Sequence, residues 1–498
     1  MMKNKAIKNI VVSFGGQIIL LALAIIIPRI MLVNYGSDMN GLITTISQIF
    51  VYMALLESGI GQAALNALYK PLSEMDKYGV SYVVSIAQSY YRRITRYYAG
   101  GVILLSIAVP FLLKTDVNKM TIFWIIIFEG MASVVNFYFT ETQMTVLTAD
   151  GKSYVNNTVN VVNKIASNIV KIIMACFGVN IIYLQVAYFV ISVIKAIYYQ
   201  QYFKKMYGWI DYNAAPKNAI LKDRNAYILN EIAWTIFSST DIIILSTFIS
   251  TQMASVYSVY NLVFSNLNVL LNTVYMSVSY LLGQKFHKDI NEYIKVHDAF
   301  TSVFVGTMTI FMAISYNLII PFVTLYTSGI KDVEYVYPLL PIMFCLVQIL
   351  SWSRFVTGSL TGIAGYAKRV SFISLIQAIM NITLSVLFVR RFGIVGVLAA
   401  TVFAMPIKVI YCAYLSDRVI LKRSYKNTIK ILGANYMLFA ISVLANKWLH
   451  FQPTGYGEFF ARGGAYATIF FVVGVVFNII ANPEIICFII KRFRSEED

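Results

Sequence analysis

The sequence predicts an all-α integral membrane protein with fourteen transmembrane helices. These form two pseudo-symmetric six-helix bundles followed by two extra C-terminal helices. Three observations predict this. Hydrophobic residues make up 58% of the 498 and charged residues only 13%, against about 25% charged in a soluble domain, which is too little polar surface to coat a soluble body. Apolar runs long enough to cross a bilayer, ~20 residues each, recur from end to end. Part of the first half repeats in the second with constant spacing.

The spans fall at roughly 10–33, 41–68, 83–113, 120–141, 154–177, 180–201, 226–249, 253–282, 298–325, 336–360, 370–390, 393–415, 428–450 and 464–489. The first has the basic flank of a signal peptide, but its apolar stretch is too long and ends in Pro28 and Arg29 without a cleavage site. The third opens on YYRRITRYY (90–98), a basic-aromatic stretch suited to headgroups. Pro483 is expected to end or kink the last span, leaving Glu484 to Arg494 as an amphipathic surface helix.

The net charge is +17, and its placement sets the topology. With an N-terminus in the cytoplasm, the inner loops and tails carry 27 Lys and Arg against seven outside. That bias orients both termini inwards. The basic residues are spread over short loops, so they imply attraction to anionic lipid and exclude a nucleic-acid groove. Four cysteines sit in separate apolar segments without metal-ligand spacing.

The repeat pairs ADGKSYV (149–155) with AGYAKRV (364–370), and the FG turn in CFGVNIIYLQVAYFV (176–190) with that in RFGIVGVLAATVFA (391–404), at an offset of 215. At offset 214, DMNGLI (38–43) meets QMASVY (252–257). Parallel repeats of this kind are a common transporter plan, with the substrate site between the halves. The resulting division is 1–212, 213–426 and a remainder, 427–498, holding the last two spans.

Polar residues align at helical spacing within six spans. They are Thr45, Gln48 and Tyr52; Glu129, Ser133, Asn136 and Thr140; Asn157, Asn160, Lys164, Asn168 and Lys171; Asn230, Trp234, Ser238 and Asp241; Asn261, Ser265, Asn268, Asn272 and Ser279; and Ser374, Gln377, Asn381 and Ser385. Any one of them can be glue between helices. Six aligned stripes predict a polar cavity. Six cations also lie within spans: Arg29, Lys164, Lys171, Lys195, Arg354 and Lys408. Snorkelling accounts for Lys195 and Lys408. Lys164, Lys171 and Arg354 are expected to line the cavity, with Arg29 balanced between the two roles. Against them stand three acids of similar depth, Glu57, Glu129 and Asp241. A cationic cavity suits an anionic, phosphate-bearing ligand. Asp241 and Glu129 are candidate coupling residues for a proton or sodium.

Enzymatic chemistry finds no support. Lys152 and Ser153 echo a P-loop, but Val146 stands where its first glycine is required. His287, His297 and His450 are scattered and expected in loops. A membrane sugar polymerase or ligase would need an outer catalytic loop that is not visible, and a passive scaffold would not need six polar stripes.

Four segments carry a family resemblance: GIGQAALNALYKPLSEMD (59–76), NAYILNEIAW (225–234), SSTDIIILSTFISTQMASVYSVYNLV (238–263) and FGIVGVLAATV (392–402). In their order and spacing the chain resembles the Wzx-like polysaccharide flippases of the multidrug/oligosaccharidyl-lipid/polysaccharide (MOP) exporter superfamily. The likeness is spread over about the first 420 residues. It implies two six-helix bundles in a V plus two extra helices, and a site in the bacterial cytoplasmic membrane. The implied substrate is an undecaprenyl-pyrophosphate-linked oligosaccharide, moved from inner to outer leaflet. The implied partners are membrane lipids, a polysaccharide polymerase and glycosyltransferases. The pyrophosphate would seek Arg29, Lys164, Lys171 and Arg354. The sugar would seek Gln48, Tyr52, Asn261, Asn268, Asn272, Gln377 and Asn381. No cofactor and no metal is expected. Around Glu57 the chain departs from the family's open run of small residues, so no role is carried onto it. The alternatives are a lipid II flippase, which suits the same cationic cavity, and a multidrug exporter, whose cationic drugs would want an acidic one.

Overall fold

The computed structural model describes residues 2–57, 60–214, 224–448 and 451–484, and its regular structure there is all helical. Among the described residues ten helices are long and apolar enough to cross a membrane; one of them contains two expected spans whole and another runs from the first into the second. The chain is a multi-pass membrane protein. It divides into two compact units, Met1–Ser255 and Val256–Asp498.

In the first unit, α1 (Met2–Ala54) holds the first expected span and the start of the second and folds between them at Gly36, whose φ of 80° lies in the region open to glycine. The expected second span is interrupted by a 3-10 turn, Leu55–Glu57, after which α2 (Ile60–Ser73) resumes. Then come α3 (Lys77–Leu112), α4 (Lys119–Phe139), α5 (Glu141–Ala149), α6 (Ser153–Cys176), α7 (Ile181–Tyr207) and α8 (Arg224–Phe248). Side-chain caps fix several starts. Asp76 accepts from Gly79 N at 2.9 Å, Asn118 from Met120 N at 2.8 Å and Asn180 from Ile182 N at 3.0 Å, each satisfying an orphan amide. Leu42, Ile46, Tyr98, Val102, Ile122, Ile125 and Leu184 form one buried cluster across α1, α3, α4 and α7.

The helix α9 (Thr251–Lys288) begins in the first unit and continues into the second. The second unit goes on with α10 (Ile290–Tyr326), α11 (Leu340–Ser353), α12 (Phe355–Ile363), α13 (Ala367–Tyr414), α14 (Lys426–Ala445) and α15 (Tyr456–Ala481). Arg354 separates α11 from α12, so the expected span 336–360 is two helical pieces. The expected spans 370–390 and 393–415 are both in α13, which turns back at Gly393 with φ 60°. Asn381 Nδ2 donates to Thr401 Oγ1 at 2.8 Å across that hairpin. Gly178, the repeat partner of Gly393, has φ 65°, so a positive φ recurs at the glycine of both FG turns.

Two of the boundaries that differ from the sequence expectation are set by polar side chains. α15 starts at Tyr456 instead of 464, because Glu458 in its first turn accepts from Thr454 N and Oγ1 at 2.8 and 2.9 Å. That cap is invisible to hydropathy. α10 starts at Ile290, and this puts His297 inside a helix, 1% exposed, where a loop was expected. Its N-cap is Asp289, which accepts from Asn291 N at 2.8 Å. The loop residues Lys217 and Lys222, His450 and the surface helix expected up to Arg494, apart from Glu484, lie outside the described residues.

Candidate functional site

In the first unit the polar faces of α1 and α8 meet. Thr45 Oγ1 and Ser246 Oγ are 2.5 Å apart, Tyr52 hydrogen-bonds to Thr240, and Asn40 Nδ2 donates to Ser255 Oγ at 2.8 Å. Asp38 accepts from Thr115 Oγ1 at 3.0 Å, from Asp116 N at 2.9 Å, and from Thr251. Asp241 is buried on the same contact, within electrostatic reach of Tyr52. Of the residues expected to line up on α8, Asp241 lies on this contact, Ser238 is exposed, and the hydroxyls that bond to α1 are those of Thr240 and Ser246. Each such bond contributes about 0.6–2 kcal/mol in a membrane. Gln48 is half-buried one turn from Thr45 and Tyr52. The side chains of Asn230 and Trp234 lie outside the described residues.

A second polar group joins α1, α4, α6 and α7. Ser47 Oγ donates to Glu129 Oε1 at 3.0 Å, while Glu129 Oε2 is buried without a partner. Lys171 Nζ sits 4.7 Å from the centroid of the Tyr188 ring, a cation–π contact, and within electrostatic reach of Glu129. Lys164 is exposed two turns away and neighbours Lys195, which in turn neighbours Glu141. The two lysines predicted as one face thus serve different neighbourhoods. Arg29 is half-buried on α1.

In the second unit Trp352 Nε1 donates to Asn268 Oδ1 at 2.5 Å, tying α9 to α11. Two residues on, the Arg354 guanidinium lies 5.3 Å from the Phe355 ring centroid, and its Nε is buried without a partner. Lys408 of α13 is half-buried and lies within electrostatic reach of Arg354. Gln377 and Asn381 are buried within the unit, Asn381 against Thr401. Asn261 is half-buried and Asn272 exposed on α9. The side chain of Ser279 lies outside the described residues. Between α11 and α14 runs an apolar groove of about 490 Å³, lined by Ile342, Leu346, Leu350, Tyr436, Phe439 and Val443 among others.

Sequence reasoning missed one ionic network. Arg423 donates to both carboxylate oxygens of Asp298 at 2.7 Å and through Nε to Asp417 at 2.8 Å. Asn427 adds a bond to Asp298 at 3.0 Å and Thr428 one to Asp417 at 2.6 Å. The partners lie up to 129 residues apart, so no local motif announces them. The P-loop echo resolves as a turn. Lys152 Nζ pairs with Asp150 at 2.6 Å and donates to Tyr207 Oη at 2.9 Å. Burial pulls the Lys152 ammonium down, but its bonds to Asp150 and Tyr207 hold it above the ordinary lysine range.

No family model matches the chain, and no curated protein matches it. Solved structures do match. The chain is similar to the lipid II flippase MurJ in an inward closed conformation, with a TM-score of 0.67 at 14% identity, over 96% of this chain and 99% of that one. It is similar to a multidrug resistance MATE family transporter of the MOP superfamily in an inward-facing conformation, with 0.63 at 12% identity over 89% and 99%. The MATE multidrug transporter DinF-BH matches with 0.60 at 14% identity over 83% and 95%. The chain has the fold of the MOP superfamily transporters.

Proposed function

We propose that the chain is a flippase that moves undecaprenyl-pyrophosphate-linked oligosaccharide repeat units from the inner to the outer leaflet of the bacterial cytoplasmic membrane. The observation that carries this is the set of cations embedded in apolar helices, above all Arg354, which has no carboxylate partner among the described residues. An intramembrane cation without an acid calls for an anionic ligand. A pyrophosphate supplies it, and a cationic drug does not. Lys171, Lys164 and Arg29 add positive charge in the first unit. Gln48, Tyr52, Asn261, Asn268, Asn272, Gln377 and Asn381 supply groups of the type sugar hydroxyls bond. The groove between α11 and α14 offers an apolar track for part of the prenyl tail. Membrane lipids are the surroundings, and a polymerase and glycosyltransferases are the partners that such a substrate requires.

Transport without a nucleotide site needs an ion gradient or a downstream sink, and Asp241 and Glu129 are the proposed coupling groups, for a proton or sodium. Both termini are assigned to the cytoplasm from the charge bias, and labelling of a cysteine at position 217 from outside would refute that. A second reading, a lipid II flippase, is favoured by the likeness to MurJ over nearly the whole chain. Alanine at Lys164, Lys171 and Arg354 tests the cationic mechanism. Each variant should fold in normal amount and translocate less, and Arg354→Lys should also be impaired because a point charge replaces a bidentate fork. Normal transport by all three alanine variants would overturn it.

A further inference from the structure

The second unit holds two cations side by side. The chain reverses at Gly365, between α12 and α13, and again at Gly393. The second half of α13 therefore runs in the direction of α12. A Cβ on Gly358 of α12 would stand 3.9 Å from Cys412 Sγ of α13, which fixes the level at which the two helices meet. Arg354 lies four residues before Gly358, and Lys408 four before Cys412. One turn is about 5.4 Å of helix, so stepping back a turn on each chain brings Arg354 and Lys408 to the same level, and the two lie within electrostatic reach of each other. Tyr275 of α9, buried, also lies within electrostatic reach of Arg354.

Among the described residues no carboxylate lies within ion-pair distance of either cation. The Arg354 Nε is buried and unpartnered, while both side chains remain partly accessible. Two like charges held together in apolar surroundings repel, and neither has the counter-charge that would offset its desolvation. A doubly anionic guest would supply that counter-charge to both at once. The two cations also differ in kind. The guanidinium offers a planar fork, and the ammonium a compact point charge.

We propose that Arg354 and Lys408 form a diphosphate site within the second unit, Arg354 clasping one phosphate and Lys408 neutralising the other. Lys408 thereby becomes a binding residue. The proposal deepens the flippase reading and rests on it for the identity of the natural ligand.

The test uses the full-length protein in neutral detergent, with farnesyl diphosphate and inorganic pyrophosphate as probes, and calorimetric Kd and thermal midpoint as readouts. Farnesyl diphosphate should bind and stabilise the wild type. Arg354→Gln and Lys408→Met should each weaken binding about tenfold or more, and Lys408→Arg should retain it. Without ligand, Lys408→Met should melt no lower than wild type, since it removes an uncompensated charge and keeps an apolar stem. A purely structural lysine would lower the midpoint instead. Wild-type affinity in Lys408→Met would overturn the proposal. So would equal affinity for farnesyl phosphate, or equal competition by phosphatidylglycerol, either of which makes this a single-phosphate or headgroup site. The assay contains neither sugar nor transport. A sugar-lipid that fails to flip while farnesyl diphosphate binds at these two residues would therefore refute only the flippase reading.

Discussion

Asn40 Nδ2 donates a hydrogen bond to Ser255 Oγ at 2.8 Å, and the two residues are 215 positions apart, one more than the 214 that relates their segments in the internal repeat. The segments that correspond in sequence, DMNGLI and QMASVY, are thus in contact with each other at the starts of corresponding helices. Gly41 sits in this contact. A Cβ there would overlap the Thr251 carbonyl oxygen and stand 3.0 Å from Ser255 N, all of it backbone that cannot swing aside.

Gly41→Ala should therefore push α1 away from the start of α9 and break the Asn40–Ser255 bond. Overpacking of this kind costs about 1–3 kcal/mol or more. Thermal unfolding followed by fluorescence-detected size exclusion should show a midpoint lowered by several degrees. An unchanged midpoint would mean that the two backbones are not so close.

The Thr45–Ser246 contact predicts a cross-link. Cysteines at both positions should form a disulfide on mild oxidation, since the hydroxyls already touch. If α1 and α8 must part during the transport cycle, oxidation should stop translocation and reductant should restore it. Full transport by a completely cross-linked protein would show that these helices stay together throughout.

Arg423 holds two buried carboxylates at once, and its loss leaves both uncompensated. Arg423→Gln should cost about 3–5 kcal/mol, read as a lower thermal midpoint and a reduced yield of folded protein. Arg423→Lys should recover only part, because one ammonium cannot reproduce the fork to Asp298 together with the Nε bond to Asp417.

Much of this architecture was legible in advance, for identifiable reasons. Each span is a long apolar run, and the FG turns that pair Gly178 with Gly393 carry the repeat and the positive φ together. Helix ends set by capping were less legible. Thr454 and Glu458 lengthen α15 beyond its apolar run, and Asp289 draws His297 into α10. Contacts between distant residues were not legible at all. Asp298, Asp417 and Arg423 carry no shared local pattern. Lys408 reads in the sequence as a snorkelling side chain, and only the close approach of Gly358 to Cys412 brings it to the level of Arg354. Helical periodicity puts Gln377 and Asn381 on one face, but periodicity cannot tell which neighbour that face meets, and Asn381 meets Thr401.

Asp241→Asn separates coupling from architecture. It keeps the size and hydrogen-bonding capacity of a side chain buried at the α1–α8 contact, and it mimics the protonated carboxyl. A coupling role predicts transport that persists downhill but ignores an imposed proton or sodium gradient. Normal gradient-driven accumulation by the variant would eliminate Asp241 as the coupling group.

The central claim, that this chain flips a pyrophosphate-linked oligosaccharide, is tested most directly in liposomes containing only the purified protein and a defined substrate. Undecaprenyl-pyrophosphate-linked oligosaccharide and lipid II are supplied separately, and outer-leaflet appearance is read by a sugar-binding lectin or an impermeant probe. The predicted result is protein-dependent flipping of the oligosaccharide lipid, faster than that of lipid II and reduced in Arg354→Ala. Flipping of lipid II alone would transfer the function to the cell-wall precursor, and flipping of neither would contradict the assignment.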